Sequence, residues 1–446
     1  MNDRSIRSVV VYSPYQWEHV LVTLRITRPL QQAGIKLVRG NEFMNIHPEY
    51  VSQADAVLLQ REFPENLEVY EQIIKRARSE RKPVIYEIDD QLFELPETHV
   101  DYTTHYYSPA LFAMLRAVIE ADLVTTSTVP LQDYLQAFNP HIEVIPNYLD
   151  DQLWTLRSPA QSTRSSEDSK DQVIIGYMGT STHQSDLAMI IPLMARLLER
   201  YGNQLHLRFW GAEPHEALRS HPQVEWRSIK MNSYAEFAAY FSQQACDLFV
   251  APLIDSQFNR CKSAIKFLEY SALGIPGVYS RTAPYQAVIQ DGQNGFLAGT
   301  EHEWESRLVE LIESPELRIR MGQQALNTVQ TEWLLTHHAG KWVSAYRRAL
   351  VIAQDEQTNQ SRQGYLSTFV AIANQVRGWQ NKMYSQLIER DRKIQSLQES
   401  IAEQGQRIAS LQQQTAAQEA YIQQIGKSRG WKLLEAARRL KSRLFR

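Results

Sequence analysis

The sequence predicts an α/β protein of two parallel-sheet domains followed by an α-helical coiled coil. Three observations predict it. Short apolar runs alternate with helix-like stretches through roughly the first third of the chain. The same alternation restarts after a polar linker, and a seven-residue apolar repeat replaces it beyond residue 361. Strand–helix alternation marks a parallel sheet covered on both faces, and a sustained heptad marks a coiled coil.

In the first domain, residues 1–157, the runs 8–12, 54–59, 83–88, 122–126 and 142–145 read as buried strands. They are short, rich in Val, Ile and Leu, and end in polar or turn residues. Residues 64–81 and 111–120 carry helical patterns. Residues 158–171, SPAQSTRSSEDSKD, hold no large apolar side chain and read as a linker. The second domain, residues 172–355, has strand candidates at 173–177, 205–210, 247–251, 277–280 and 295–298. Two such units joined by a linker place a cleft between their sheets, and α/β sheets bind ligands at the carboxyl ends of their strands. Trp304, Trp333 and Trp342 read as packing residues of the late helices, the last of which is expected to cross back to the first domain.

Beyond residue 361 Gly and Pro nearly vanish and Gln rises. Leu387, Ile394, Ile401, Ile408, Thr415 and Ile422 recur every seven residues, with Leu397, Leu411 and Ile425 three residues after members of that series. A long amphipathic helix packed on its own domain is one reading. A coiled coil over 363–425 is the other, and a period nearer 3.5 than 3.6 favours it. Ile at a with Leu at d points to two parallel strands, and so to a homodimer. Residues 426–446 carry eight Lys or Arg and one Glu. Trp431, Leu433, Leu434, Ala437, Leu440 and Leu444 share one face of a helix drawn through them. A basic amphipathic helix on an anionic membrane surface fits this tail; so does a solvated helix ending the coil.

Composition excludes several classes. The 446 residues suffice for about three domains. A net charge of −3 argues against nucleic acid as a partner. The two cysteines, Cys246 and Cys261, lie in no CxxC or metal-ligand spacing, which points to a reducing compartment and to neither disulfides nor structural zinc. The apolar run near the N-terminus is too short for a signal peptide. No apolar stretch approaches the ~20 residues of a membrane span. The expected location is the cytoplasm, including the inner face of the plasma membrane.

Two stretches carry chemistry. In GYMGTSTHQSD, residues 176–186, a buried strand runs into Gly179 and a helix begins near Ser185. A helix start offers unpaired N–H groups to a phosphate, Gly179 allows close backbone approach, and Thr180 and His183 are placed as donors to a phosphate or sugar oxygen. A plain β–α turn capped by Ser or Thr explains the loop equally well. In NRCKSAIKFLEYSALGIP, residues 259–276, a helix is predicted from Ser263, as N-cap, to Leu273, stopped by Gly274 and Pro276. Lys262 precedes it and Lys266 lies in its first turn. A cation there opposes the helix dipole, which makes sense if an anion occupies that end. Glu269 lies near the same face, placed to accept two ribose hydroxyls. A surface Lys–Glu pair at (i, i+3) is the other reading.

The pattern S-x-x-K-x-x-E-Y-x-A-x-G-x-P, carried by Ser263, Lys266, Glu269, Tyr270, Ala272, Gly274 and Pro276, resembles the donor-site motif of glycosyltransferase family 4 (glycosyl transferases group 1). IGYMGTSTHQSDL resembles the first strand and phosphate loop of that family's second domain. GQNGFLA at 292–298 resembles its DGxNGFLV stretch. PVIYEIDDQLFELPE and VTTSTVPLQDYL with VIPNYLD resemble the first domain of bacterial members that build surface polysaccharide. The resemblance spans roughly residues 5–350. It implies the GT-B architecture, two Rossmann-like domains with a nucleotide-diphosphate sugar between them as co-substrate. Glu269 then binds ribose, and Lys262, Ser263 and Lys266 hold the diphosphate together with Gly179 and Thr180. Lysines and helix ends replace a metal in stabilising the leaving group. The resemblance also implies retention of configuration and a glycan or lipid-linked acceptor. Asp89 and Asp90, adjacent rather than spaced as a metal-binding DxD, stand where the family often reads His-Asp, and they face the acceptor hydroxyl or donor sugar. A carboxylate pair capping the next segment is the other reading. Lys266, Asp89 and Asp90 are the catalytic candidates, and Arg25 and Arg28 are assigned to the acceptor side.

The sequence departs from the family in three places. Cys261 stands at the first glutamate of the common E-x7-E pattern, which contacts the transferred sugar. A subgroup reads S-P-x-K there, but Ala264 replaces its Pro. SPYQWEH replaces the Gly-rich loop after the first strand. Beside the transferase reading stand a non-catalytic nucleotide-sugar- or glycan-binding scaffold, favoured by Cys261, and a nucleotide-sugar epimerase.

Overall fold

The computed structural model describes residues 5–42, 45–159 and 172–444. Most of the linker read at 158–171 lies outside them. Two compact units emerge, residues 1–370 and 371–446.

The first unit holds two six-stranded parallel sheets. The strands of the first sheet are β1 (Ser8–Tyr12), β2 (Lys36–Arg39), β5 (Ala56–Gln60), β6 (Val84–Glu87), β7 (Leu123–Thr126) and β8 (Ile142–Val144); a short hairpin, β3 (Asn41–Glu42) and β4 (Asn45–Ile46), stands beside it. The strand order is β2-β1-β5-β6-β7-β8. Side chains alternate across the strands. Val10, Tyr12, Val57, Leu59 and Tyr86 enter one apolar cluster, and Val9, Val11, Ala56, Leu58 and Ile85 enter another on the opposite face. Both faces are therefore covered, as the continuous apolar runs require.

The second sheet contains β9 (Val173–Gly179), β10 (Leu205–Gly211), β11 (Val224–Arg227), β12 (Leu248–Ala251), β13 (Gly277–Ser280) and β14 (Phe296–Ala298). Its order, β11-β10-β9-β12-β13-β14, is that of a doubly wound nucleotide-binding sheet. The order reverses between β9 and β12, so the loops leaving those two strands flank the crevice where such sheets take ligands.

The strands absent from the sequence reading are the edge strands β2 and β11 and the hairpin. KLVR and VEWR bury no residue completely, whereas every residue of β5, β6, β7, β12 and β13 is buried. β2 and β11 are half-exposed edge strands and lack the continuous apolar run carried by the central strands and by the buried edge strand β14.

The chain crosses back at its last helix before the tail, Gly340–Ala353. Trp342, Ala345, Tyr346, Ala349 and Ile352 complete the apolar face formed by β1 and β5. Trp342 Nε1 donates to the Arg25 carbonyl at 3.1 Å. The two sheets' domains also meet through Thr128 Oγ1 donating to the Cys261 carbonyl at 2.8 Å and Asn147 Nδ2 donating to Ser263 Oγ at 2.8 Å.

The second unit is helical. The helix Glu356–Lys427 runs 72 residues, and Arg429–Leu444 follows. The side chains of 356–368 lie outside the described residues, including the start of the predicted coil. Leu387, Ile394, Leu397, Ile401, Ile408, Leu411, Ile422 and Ile425 are 38–68 % exposed.

Candidate functional site

The motif around Glu269 folds as a short helix, a turn and a buried helix. Ser256 caps Gln257–Arg260, accepting from the Asn259 N–H at 3.2 Å. Residues 261–264 turn, and Ile265–Ala272 follows. From Phe267 to Ala272 every side chain is buried, so this helix lies inside the domain. Gly274 ends it at φ +66°, where a Cβ would stand 2.5 Å from the Arg157 carbonyl.

The predicted N-cap is corrected. Ala264, not Ser263, occupies that position, and no side chain caps the helix. Ser263 Oγ is taken instead by Asn147 of the first domain. The helix start therefore keeps free N–H groups and the positive end of its dipole. Lys266 stands in that first turn with no hydrogen bond or ion pair among the described residues. Burial, then Lys262, lowers its pKa to about 8. Lys262 lies over the Phe258 ring, 4.6 Å from its centroid. No carboxylate pairs with either lysine among the described residues. Two cations converge on an uncapped helix start, the electrostatics that suit a diphosphate.

Glu269 is 4 % exposed. Its Oε1 accepts from the Tyr234 hydroxyl at 3.0 Å, which accepts in turn from Trp154 Nε1 at 3.1 Å. Burial raises the Glu269 pKa to about 7, against the pull of Tyr234 and Lys266. Oε2 makes no hydrogen bond among the described residues. A carboxylate oriented through one oxygen, with the other spare, is equipped to receive hydroxyls.

At the end of β9, Gly179 is required sterically. A Cβ there would meet the Tyr177 hydroxyl at 2.7 Å, and one at Gly211 would meet the Gly179 carbonyl at 2.4 Å. Thr180 Oγ1 and Thr182 Oγ1 are 2.7 Å apart at the surface. His183 departs from the donor role expected of it. Its Nδ1 lies 2.9 Å from Asp186 Oδ2. Burial and the nearby Lys266 lower its pKa to about 3, so the ring is neutral at pH 7. Asp186 is held ionised by His183 and by the Ile254 N–H, and it also accepts from Asn259 Nδ2 at 3.0 Å. The network therefore assigns the ring hydrogen to Nδ1 and leaves Nε2 as an acceptor for a hydroxyl. Asp186 itself ties the loop after β9 to the loop after β12.

A cleft of about 310 Å³ opens between the domains, with Thr182, Asp186, Phe258 and Lys262 on one side and His99 and Val100 on the other. That volume is in the range of small-molecule sites. Lys266 and Glu269 are not part of this lining; they stand deeper in the second domain. His99 was not singled out in the sequence, where it is one histidine among twelve. Its Nδ1 accepts from the Asp101 N–H at 3.2 Å, and its ring meets Phe258 edge-on at 5.2 Å. Burial and Lys262 lower its pKa. The neutral ring then carries its hydrogen on Nε2 as a donor.

The first-domain candidates are placed differently from one another. Asp89 is buried, and Arg61 Nη1 donates to its Oδ1 at 3.2 Å. Asp90 is 28 % exposed and lies 4.0 Å from the same guanidinium. Arg25 and Arg28 prove to be internal pins. Arg25 is 1 % exposed, and it donates to Glu87 at 2.7 Å and to Asn147 Oδ1 at 2.8 Å. Arg28 pairs with Asp150 through two nitrogens. Cys261 is fully buried and joins an apolar cluster of the first domain. Burial pushes its thiol up to about 11. It therefore lines no part of the cleft.

Residues 172–314 match the model of the family described as Glycosyl transferases group 1, the family read from the motif at 263–276. No curated protein sequence matches the chain. Among solved structures, sucrose-phosphate synthase from Thermosynechococcus elongatus is similar at 13 % identity and TM-score 0.54, over 82 % of this chain and 100 % of that one. HepE of Anabaena in complex with UDP-glucose is similar at 14 % identity and TM-score 0.54, over 76 % of this chain and 98 % of that one. TarM of S. aureus is similar at 12 % identity and TM-score 0.48, over 67 % of this chain, which spans 57 % of TarM. The match to the family model thus covers most of the second domain, and the two-sheet fold is similar to those of sucrose-phosphate synthase and HepE.

Proposed function

We propose that the chain transfers a sugar from a nucleotide-diphosphate sugar to a glycan or lipid-linked acceptor, in surface-polysaccharide or glycoconjugate biosynthesis. One observation carries this reading: two lysines that pair with no carboxylate among the described residues, and a buried carboxylate with one oxygen free of hydrogen bonds among them, meet at the switch point of the second sheet. In this reading Glu269 accepts ribose hydroxyls. Lys262, Lys266 and the free N–H groups of 263–266 hold the diphosphate and stabilise the charge that develops as the glycosidic bond breaks. The β9 loop, through Gly179 and Thr180, closes on the phosphates, and His183 accepts a hydroxyl. Asp90 and His99 face the reacting sugar from the first domain. Retention of configuration and independence from metal rest on the family resemblance. Glu269→Ala is expected to abolish donor binding, measured by calorimetry, with an unchanged far-UV spectrum. Unchanged donor affinity would refute the assignment.

A second reading, a nucleotide-sugar-binding scaffold, is favoured by Cys261. The family's sugar-contacting glutamate is replaced there by a thiol packed away from the cleft. Turnover separates the two readings.

The tail is proposed to pair two copies through the a/d seam and to rest its basic end on an anionic membrane. The exposed seam and the lysines and arginines of 426–446 support this. No helix among the described residues is long and apolar enough to cross a membrane. The cytoplasmic face is the location proposed.

A further inference from the structure

The turn between Lys262 and Lys266 is held from the other domain. Thr128 Oγ1 donates to the Cys261 carbonyl, and Asn147 Nδ2 donates to Ser263 Oγ, each at 2.8 Å. Thr128 is a tether to a backbone carbonyl. Asn147 instead reaches a hydroxyl, on the half-buried residue that follows Lys262.

The Asn147 amide has one orientation open to it. Asn147 follows β8 and is 8 % exposed. Arg25 Nη1 lies 2.8 Å from one of its two polar atoms. A guanidinium only donates, so that atom is the oxygen. The atom facing Ser263 is then the nitrogen, which also only donates. Ser263 Oγ is therefore the acceptor of this contact, and its own hydrogen is directed elsewhere. No acceptor for that hydrogen stands among the described residues.

Arg25 is fixed in its turn. Its side chain is fully buried. Nε donates to Glu87 at 2.7 Å, Nη1 also donates to the Ile145 carbonyl at 2.6 Å, and Trp342 Nε1 holds the Arg25 carbonyl. Thr125 Oγ1 donates to the other oxygen of Glu87. Nη2 is buried and makes no hydrogen bond. A buried ion pair adds little to stability, and a spare buried donor subtracts from it. The cluster supplies direction instead. Glu87 cancels the charge of Arg25, and from Arg25 through Asn147 to Ser263 each hydrogen points towards the turn. Hydrogen bonds in such a row polarise one another and strengthen the last donor.

We propose that Asn147 is a positioning residue of the donor site: by donating to Ser263 Oγ it turns the Ser263 hydroxyl hydrogen towards the diphosphate. The proposal rests on the reading of residues 262–269 as the seat of a nucleotide-diphosphate sugar. It gives the first domain a share in holding the donor through a residue that does not touch it.

The test is calorimetry of UDP, ADP and GDP with the full chain, in a cycle of Asn147→Asp and Ser263→Ala, singly and together. Asn147→Asp keeps the side chain's shape and the oxygen that faces Arg25, and it replaces the donor that faces Ser263 by an acceptor. The hydroxyl hydrogen is then drawn to the new carboxylate. Affinity is expected to fall about tenfold or more in either single variant, as for a lost hydrogen bond to a charged group. Beside Ser263→Ala, the further change Asn147→Asp is expected to cost less than about twofold. A residue that only fastens the domains would cost the same in both backgrounds, and so would repulsion between the new carboxylate and the phosphates. Asn147→Ala decides the matter if Asn147→Asp does not fold: a loss of about threefold or more that vanishes beside Ser263→Ala is expected. Wild-type affinity in the folded variants, or the same loss with and without the Ser263 hydroxyl, would overturn the proposal alone. A wild type that binds none of the three nucleotides overturns the donor reading, and the proposal falls with it.

Discussion

Glu269 and Lys266 stand one helical turn apart, and burial moves both towards neutrality, to about 7 and about 8. Donor binding as proposed uses the carboxylate and the ammonium. Affinity for the nucleoside diphosphate should rise as pH climbs through about 7 and Glu269 loses its proton. It should fall above about 8 as Lys266 loses its own. Calorimetry from acid to alkaline pH checks this; an affinity flat across both limbs contradicts it. The same carboxylate weakens the fold. Its folded pKa lies above the usual value, so the folded chain keeps a proton that the unfolded chain releases. Stability is lost as pH rises through that window to about 7. Glu269→Gln should therefore raise stability at pH 8 by about 1–3 kcal/mol while binding is lost, and denaturant unfolding measures it. Lys266 and Glu269 were legible in the sequence because a cation in a first turn and a carboxylate one turn on form a local pattern. Arg61, His99, Asp186 and Tyr234 were not. Their partners lie 28, 159, 73 and 35 residues away, or belong to the other domain, and no spacing encodes that.

The motif's elements are constrained by contacts the sequence only partly announces. Gly274 and Pro276 marked the helix end correctly. The start was misplaced because a serine before a helix reads as a cap, whereas Ser263 is held by Asn147 from 116 residues upstream. Gly274→Ala should cost about 2 kcal/mol or more, since it meets both a left-handed φ and the Arg157 carbonyl. A thermal melt reads this out; an unshifted midpoint contradicts it. Central strands were legible from their apolar runs, and edge strands β2 and β11 were not, because half-exposed strands carry mixed side chains. The long helix presents its seam as an exposed stripe. Lysine at both Ile401 and Ile408 should turn a dimer into a monomer in sedimentation, because each places a charge on the a row. A wild-type monomer contradicts the pairing.

At the scale of the molecule, two sheets present the carboxyl ends of their strands to a shared cleft, and the crossing helix Gly340–Ala353 fastens the second domain's chain to the first sheet. The architecture was legible because strand–helix alternation restarts after a polar break. The contact of Cys261 with the first domain was not, since the sequence reports an absent glutamate but not where the replacing thiol packs. Turnover separates the transferase reading from the scaffold reading that Cys261 favours. The direct measurement is release of nucleoside diphosphate by the full chain from a panel of UDP-, ADP- and GDP-sugars, with extracted lipid and oligosaccharide acceptors. The transferase account predicts release from at least one donor, dependent on acceptor and abolished in Glu269→Ala. Saturable donor binding with no release across the whole panel would contradict it.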